Sequence, residues 1–145
     1  MNPATFFRIP FFFRQKTTNF VVEMEKKDTH KQQIDTLLIK RKLYRDPNYS
    51  AKQLSEELGL SASQLSRILK NEYAMGYSEI VHFYRIQDAM HHLKDKRFSP
   101  YSIDDIGELV GFKNRQSFFA AFKKVTGTTP EKFRQQQLSK SKIYD

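Results

Sequence analysis

The sequence predicts an all-α fold in which two helix-turn-helix units are joined by a longer central helix. Three observations carry this. Apolar residues recur at helical spacing from His30 onward with very little strand signal, hydroxyl–amide pairs at cap spacing punctuate the chain, and one stretch repeats itself. With 145 residues and 39% hydrophobic content, the chain suffices for one domain of ordinary size and not for two large ones.

Residues 1–29 read as a poorly ordered tail. Their apolar patch, Phe6 to Phe13, is broken by Arg8 and Pro10. It is far shorter than the roughly 20 residues of a spanning helix, and it lacks the basic start and small-residue cleavage site of a signal peptide. A sticky contact for a partner or a membrane surface is its alternative use. Ile34, Leu37, Leu38 and Tyr44 then predict a leading helix or linker over 30–46, ending before Asp46-Pro47-Asn48.

Ser50 with Gln53, and Ser61 with Gln64, have capping-box spacing, so short helices begin at about Ala51 and Ala62. Only Leu58-Gly59-Leu60 separates them, which is a tight turn. Tyr77, Ile80, Val81, Tyr84, Ala89, Met90 and Leu93 mark one longer helix. Ser102 caps the next start, ahead of Ile103, Ile106, Leu109 and Val110, and Gly111 stops it. Asn114 caps a further helix, Pro130 occupies the first position of the last one, and 138–145 reads as a C-terminal tail.

The repeat is more informative than any single motif. Leu54, Leu58 and Gly59 recur as Ile106, Val110 and Gly111; after the turn, Leu65, Leu69 and Lys70 recur as Phe118, Phe122 and Lys123 with the register advanced by one residue. Each unit, at about 51–71 and 103–126, is a short helix, a Gly-containing turn and a second helix, with Ser55 and Gly107 where the helices cross. In the second unit Phe118 and Phe122 share the anchoring face, and Arg115, Gln116, Phe119 and Lys123 turn away from it.

Charge separates the helices of that unit. Tyr101 to Val110 contains Asp104, Asp105 and Glu108 and no Lys or Arg, whereas Gly111 to Arg134 contains Lys113, Arg115, Lys123, Lys124, Lys132 and Arg134 against Glu131 alone. A phosphate backbone attracts the later stretch and repels the earlier one. The whole chain carries a formal net charge of +9 and a pI near 9.7, which points to a polyanion: nucleic acid, or the anionic membrane surface as its rival.

Other chemistry finds little support. With no Cys there is neither a disulfide nor a thiolate site, which is compatible with a cytoplasmic location. His91 and His92 point in different directions on a helix, and His82 has no ligand partner at metal-site spacing. The pairs Asp104–Asp105 and Glu56–Glu57 fit helix-dipole placement or solvent faces. No phosphate loop or nucleophile motif is present, so the reading is a non-enzyme with no cofactor and no metal.

The stretch SIDDIGELVGFKNRQSFFAAFKKVTGTTPEKFR, Ser102 to Arg134, and SAKQLSEELGLSASQLSRILK from Ser50, continuing into YRIQDAMHHL at Tyr84, resemble the DNA-binding domain of the AraC/XylS family of bacterial transcription regulators. The resemblance covers about 43–137. It implies a sequence-specific double-stranded DNA-binding regulator with two homeodomain-like three-helix subdomains. Their recognition helices would enter successive major grooves from one side, roughly 34 Å apart. It implies base reading by Ser63, Ser66 and Arg67 in the first unit and by Arg115, Gln116, Ser117 and Phe119 in the second. Arg67 suits a guanine edge, Gln116 an adenine and Phe119 a thymine methyl. Arg67 and Arg115 as phosphate contacts, and Phe119 as extra core, are the alternatives. Ser61, Lys70, Lys113, Asn114 and Lys123 fall to phosphate positioning. Ala120 departs from the basic residue many relatives carry there. An N-terminal sensor domain and RNA polymerase are the further partners implied, and the chain is then either a stand-alone binder or the C-terminal piece of a longer sensor. A non-catalytic interaction module, binding a protein or anionic membrane through basic helices and the Phe-rich tail, is the competing class.

Overall fold

The computed structural model describes residues 29–141, and every regular element among them is helical. The Phe6 to Phe13 stretch and the last four residues lie outside the described residues. The leading helix, α1, is α-helical over 29–34 and widens into a π-turn over Asp35–Lys40. It stops there, short of the predicted end. Lys42 adopts a left-handed φ of 55° and starts a separate 3-10 turn, Leu43–Arg45. The apolar pattern runs on through Leu43 and Tyr44, so periodicity alone reads one helix where the backbone makes two elements. Nor is α1 a detached linker. Ile34 and Leu38, each 1% exposed, complete the core of the first unit with Leu54, Leu65, Leu69 and Ile80.

The first unit is α2, Ala51–Glu57, and α3, Ala62–Tyr73. Both predicted capping boxes form: the Ser50 amide donates to Gln53 Oε1 at 2.8 Å, and the Ser61 amide to Gln64 Oε1 at 2.9 Å. Gly59, at φ 65°, makes the turn between them. The connector α4 spans Tyr77–Lys94. The second unit is α5, Ile103–Leu109, started by the Ser102–Asp105 box, and α6, Arg115–Thr126, whose Ser117 amide donates to the Asn114 cap at 2.8 Å. The last helix, α7, runs Pro130–Ser141 and so extends into the stretch read as a tail.

The connector serves both units. Its Ile80 belongs to the first core, while Ile86, Ala89 and Leu93 belong to the second, with Ile106, Val110, Phe112, Phe118, Phe122 and Phe133. Arg85, buried on α4, donates through Nε to the Tyr44 carbonyl at 2.5 Å and through Nη2 to the Asp46 carbonyl at 3.2 Å. Its guanidinium also lies 5.4 Å from the centre of the Phe112 ring. Three segments far apart in sequence thus meet on one side chain. A side chain at Gly111 would intrude here: a Cβ would sit 2.5 Å from the Arg45 carbonyl oxygen, and the φ of 109° would strain any other residue.

Next to this junction Asp88 accepts from Arg45 Nε at 2.5 Å and from the Tyr44 hydroxyl at 3.0 Å. Burial opposes its charge, but these donors hold its pKa below the ordinary carboxylate value. His92, one turn on, is buried against Phe98, with ring centres 4.2 Å apart. Burial pushes its pKa down from the ordinary 6.5, against the opposing pull of Asp88. A depressed histidine stabilises the fold fully above its unfolded value, and that contribution is lost as pH falls below about 6.5. The urea midpoint is therefore expected to drop between pH 7.5 and 5.5, and His92→Leu to flatten part of that drop. An identical pH slope in the variant would refute the assignment to His92.

Candidate nucleic-acid interface

Each unit buries one face of its second helix and leaves the other open. In α3 Leu65 and Leu69 are buried, and Ser63, Ser66 and Arg67 occupy the exposed side at helical spacing. Arg67 pairs with no carboxylate among the described residues, so its guanidinium is available to an outside acceptor. The Ser61 hydroxyl is engaged in the cap, accepting from the Gln64 amide at 3.2 Å, and lies 3.3 Å from the Ser63 hydroxyl.

In α6 Phe118, Ala121 and Phe122 are buried, while Gln116, Ser117, Ala120 and Lys123 are exposed. Lys113 and Asn114 precede them on the surface. Phe119 sits between the two environments: half-buried, it packs on the second core edge-on to Phe118. Arg115 is placed differently from the other predicted readers. Its Nη1 donates to Asp104 on α5 at 2.5 Å and its Nη2 to Glu131 on α7 at 3.1 Å, and the guanidinium lies 4.1 Å from the Phe119 ring centre. Neither carboxylate was singled out for this from the sequence. Both Asp104 and Asp105 lie in the first turn of α5, as the helix-start explanation expects; Asp105 accepts the Ser102 amide, and Asp104 has the Arg115 pair in addition.

Both second helices pack on α4 and place a lysine within electrostatic reach of its Glu79. Glu79 caps that helix by accepting the Gly76 amide at 2.8 Å and stands 3.5 Å from Lys70 of α3. Its carboxyl is held below the ordinary range by the Gly76 amide first and by Lys70 next, with a smaller contribution from Lys124 of α6. Lys70 of α3 thus stands beside Glu79, and Lys124 of α6 acts on it only at longer range. Among the described residues no three His, Cys, Asp or Glu side chains are grouped to hold a metal ion, and no helix is long and apolar enough to cross a membrane.

A family model described as a helix-turn-helix domain matches residues 54–136, more than half of the chain. The chain belongs to the AraC-type helix-turn-helix family. Two relatives from Bacillus subtilis (strain 168) are similar to this AraC-type chain. One is the uncharacterized HTH-type transcriptional regulator YtdP, 35% identical over 101 residues that make up 70% of this chain and 11% of the relative. The other is the uncharacterized transcriptional regulatory protein YesN, 33% identical over 94 residues that make up 63% of this chain and 25% of the relative. The chain thus spans a minor part of each. Among solved structures, the C-terminal domain of the two-component response regulator yesN from Fusobacterium nucleatum superposes with a TM-score of 0.57 at 29% identity, covering 65% of this chain and 88% of that one. The C-terminal domain of AraT, a response regulator from Geobacillus stearothermophilus, shares the fold with a TM-score of 0.62 at 24% identity, covering 77% and 84%.

Proposed function

We propose that the chain is a sequence-specific double-stranded DNA-binding transcription regulator acting in the cytoplasm, without catalysis. The observation that carries this reading is the duplicated unit: two second helices, each anchored by buried apolar residues, each open on a polar and basic face, and both packed on the connector α4. Such helices suit adjacent major grooves. Arg67, exposed and uncommitted, is the strongest candidate for a bidentate guanine contact; Ser63 and Ser66 flank it, and Gln116 and Ser117 offer base contacts in the second unit. Phe119, half-buried and stacked under Arg115, offers a thymine methyl its exposed part. Lys113, Lys123 and Lys70, with the helix-start amides after Ser61 and Asn114, position the phosphates. RNA polymerase and an upstream sensor domain are the further partners this reading implies.

Selection of bound duplexes from a random pool tests the reading. One enriched sequence, bound with an affinity that falls steeply with added salt, is the expected result. Binding to anionic vesicles without any enriched duplex would instead support a membrane-surface module. On the enriched site Arg67→Ala is expected to cost about 1–3 kcal/mol and to relax preference at one base pair, whereas Lys123→Ala weakens all duplexes about equally. Equal, sequence-independent losses from both would move Arg67 to the phosphate group.

A further inference from the structure

Arg115 stands at the first position of α6, where a reading helix presents its leading side chain, yet it is turned back onto the protein between Asp104 and Glu131. One cation faces two carboxylates, so the cluster carries a formal charge of −1 where the reading places incoming phosphates. All three side chains remain substantially exposed, at 53%, 51% and 40%, so water and salt screen the pairs and an outside acceptor can reach them. The first unit supplies an internal comparison. By the repeat register Lys52 stands where α5 has Asp104, and Ala62 where α6 has Arg115. Lys52 instead approaches Glu56 of its own helix, at 3.8 Å. The cluster is thus a property of the second unit, and the cap and core that the units share do not require it.

We propose that Asp104 and Glu131 act as an internal competitor for DNA, occupying Arg115 in the free protein and keeping the second unit weak until a duplex supplies a better acceptor. This rests on the duplex-binding reading above. A carboxylate offers the guanidinium the same fork of oxygens as a phosphate or a guanine edge, so the exchange swaps like for like. Phe119 holds the guanidinium plane by its ring during the exchange, since that contact does not use the N–H donors. A correct base opposite Arg115 completes the exchange; an incorrect one leaves the carboxylates in place. The second unit then adds discrimination, and the first supplies most of the free-standing affinity.

The test uses the full chain and its selected duplex, with Asp104→Asn and Glu131→Gln singly and together, each also combined with Arg115→Ala. Both replacements keep an oxygen acceptor and remove a charge, and thermal melting reports whether they fold as the parent does. Glu108→Gln, also on α5 and exposed, controls for the general effect of deleting an acidic charge. The double replacement is expected to tighten binding roughly three- to tenfold at about 0.1 M salt, to tolerate more base changes in the second half-element, and to lose both effects when Arg115 is Ala. Unchanged or weaker binding in a folded double variant, or a gain equal to that of Glu108→Gln and independent of Arg115, would overturn the proposal. A parent chain that selects no duplex would overturn the binding reading itself, a result distinct from a parent that binds and variants that do not respond.

Discussion

Phe118→Ala is expected to destabilise the protein by about 3–5 kcal/mol, in the range of buried aromatic truncations. Phe118 is fully buried, with its ring centre 5.3 Å from that of Phe112 and 5.8 Å from that of Phe122. It also fills the space that Gly107 leaves where α5 crosses α6: a Cβ on that glycine would lie 2.7 Å from the ring. Truncation therefore leaves a cavity at a helix crossing where Gly107, on the facing helix, has no side chain to fill it. The first unit solves the same crossing with the sizes shifted, Ser55 opposite Leu65 in the repeat register. Phe119→Ala, on a half-buried ring, is the natural comparison and should cost much less. Urea unfolding of both variants gives the answer; a Phe118→Ala midpoint close to the parent's would mean that the anchoring face is misassigned.

Much of the fold was legible because its signals are local. Caps at Ser50, Ser61, Ser102 and Asn114 act within three residues of themselves, and all four form as the spacing predicts. The repeat made the second unit readable from the first. The end of α1 was not legible, because Lys42 adopts a left-handed backbone without the glycine that usually signals one. The junction of Arg85 with Tyr44, Asp46 and Phe112 was hidden for another reason. Its partners lie about forty residues back or across the next unit, and a single buried arginine in an apolar stripe breaks the pattern without naming what it touches. The same holds for Arg115. Sequence pattern assigned it to the open face of α6, which is where its backbone stands, but the direction of its side chain depends on carboxylates from two other helices.

Inserting about five base pairs between the two half-elements of a selected site is expected to lower affinity about a hundredfold at fixed salt. That is the scale of losing one bidentate base contact, about 1–3 kcal/mol, together with its phosphate contacts. The prediction follows from how the units are joined. A helix alone could flex or twist at its ends, but here α4 contributes residues to both cores, and Arg85 ties the turn before α2 to the turn inside the second unit. Gly111 lets that turn approach the Arg45 carbonyl so closely that little sliding is left. Two reading helices held this way cannot follow half-elements rotated by half a helical turn onto opposite sides of the duplex. Bending or twisting the DNA to recover the second contact has its own elastic cost, about 1–6 kcal/mol for a smooth bend. The measurement is the affinity of one chain for the selected site with and without the insertion, with Arg67→Ala as a check on which unit remains bound. If affinity is unchanged by the insertion and still depends on Arg67, only the first unit engages the groove. The second, with Ala120 on its open face and Arg115 held by Asp104 and Glu131, would then be a buttress for the first rather than a second reader.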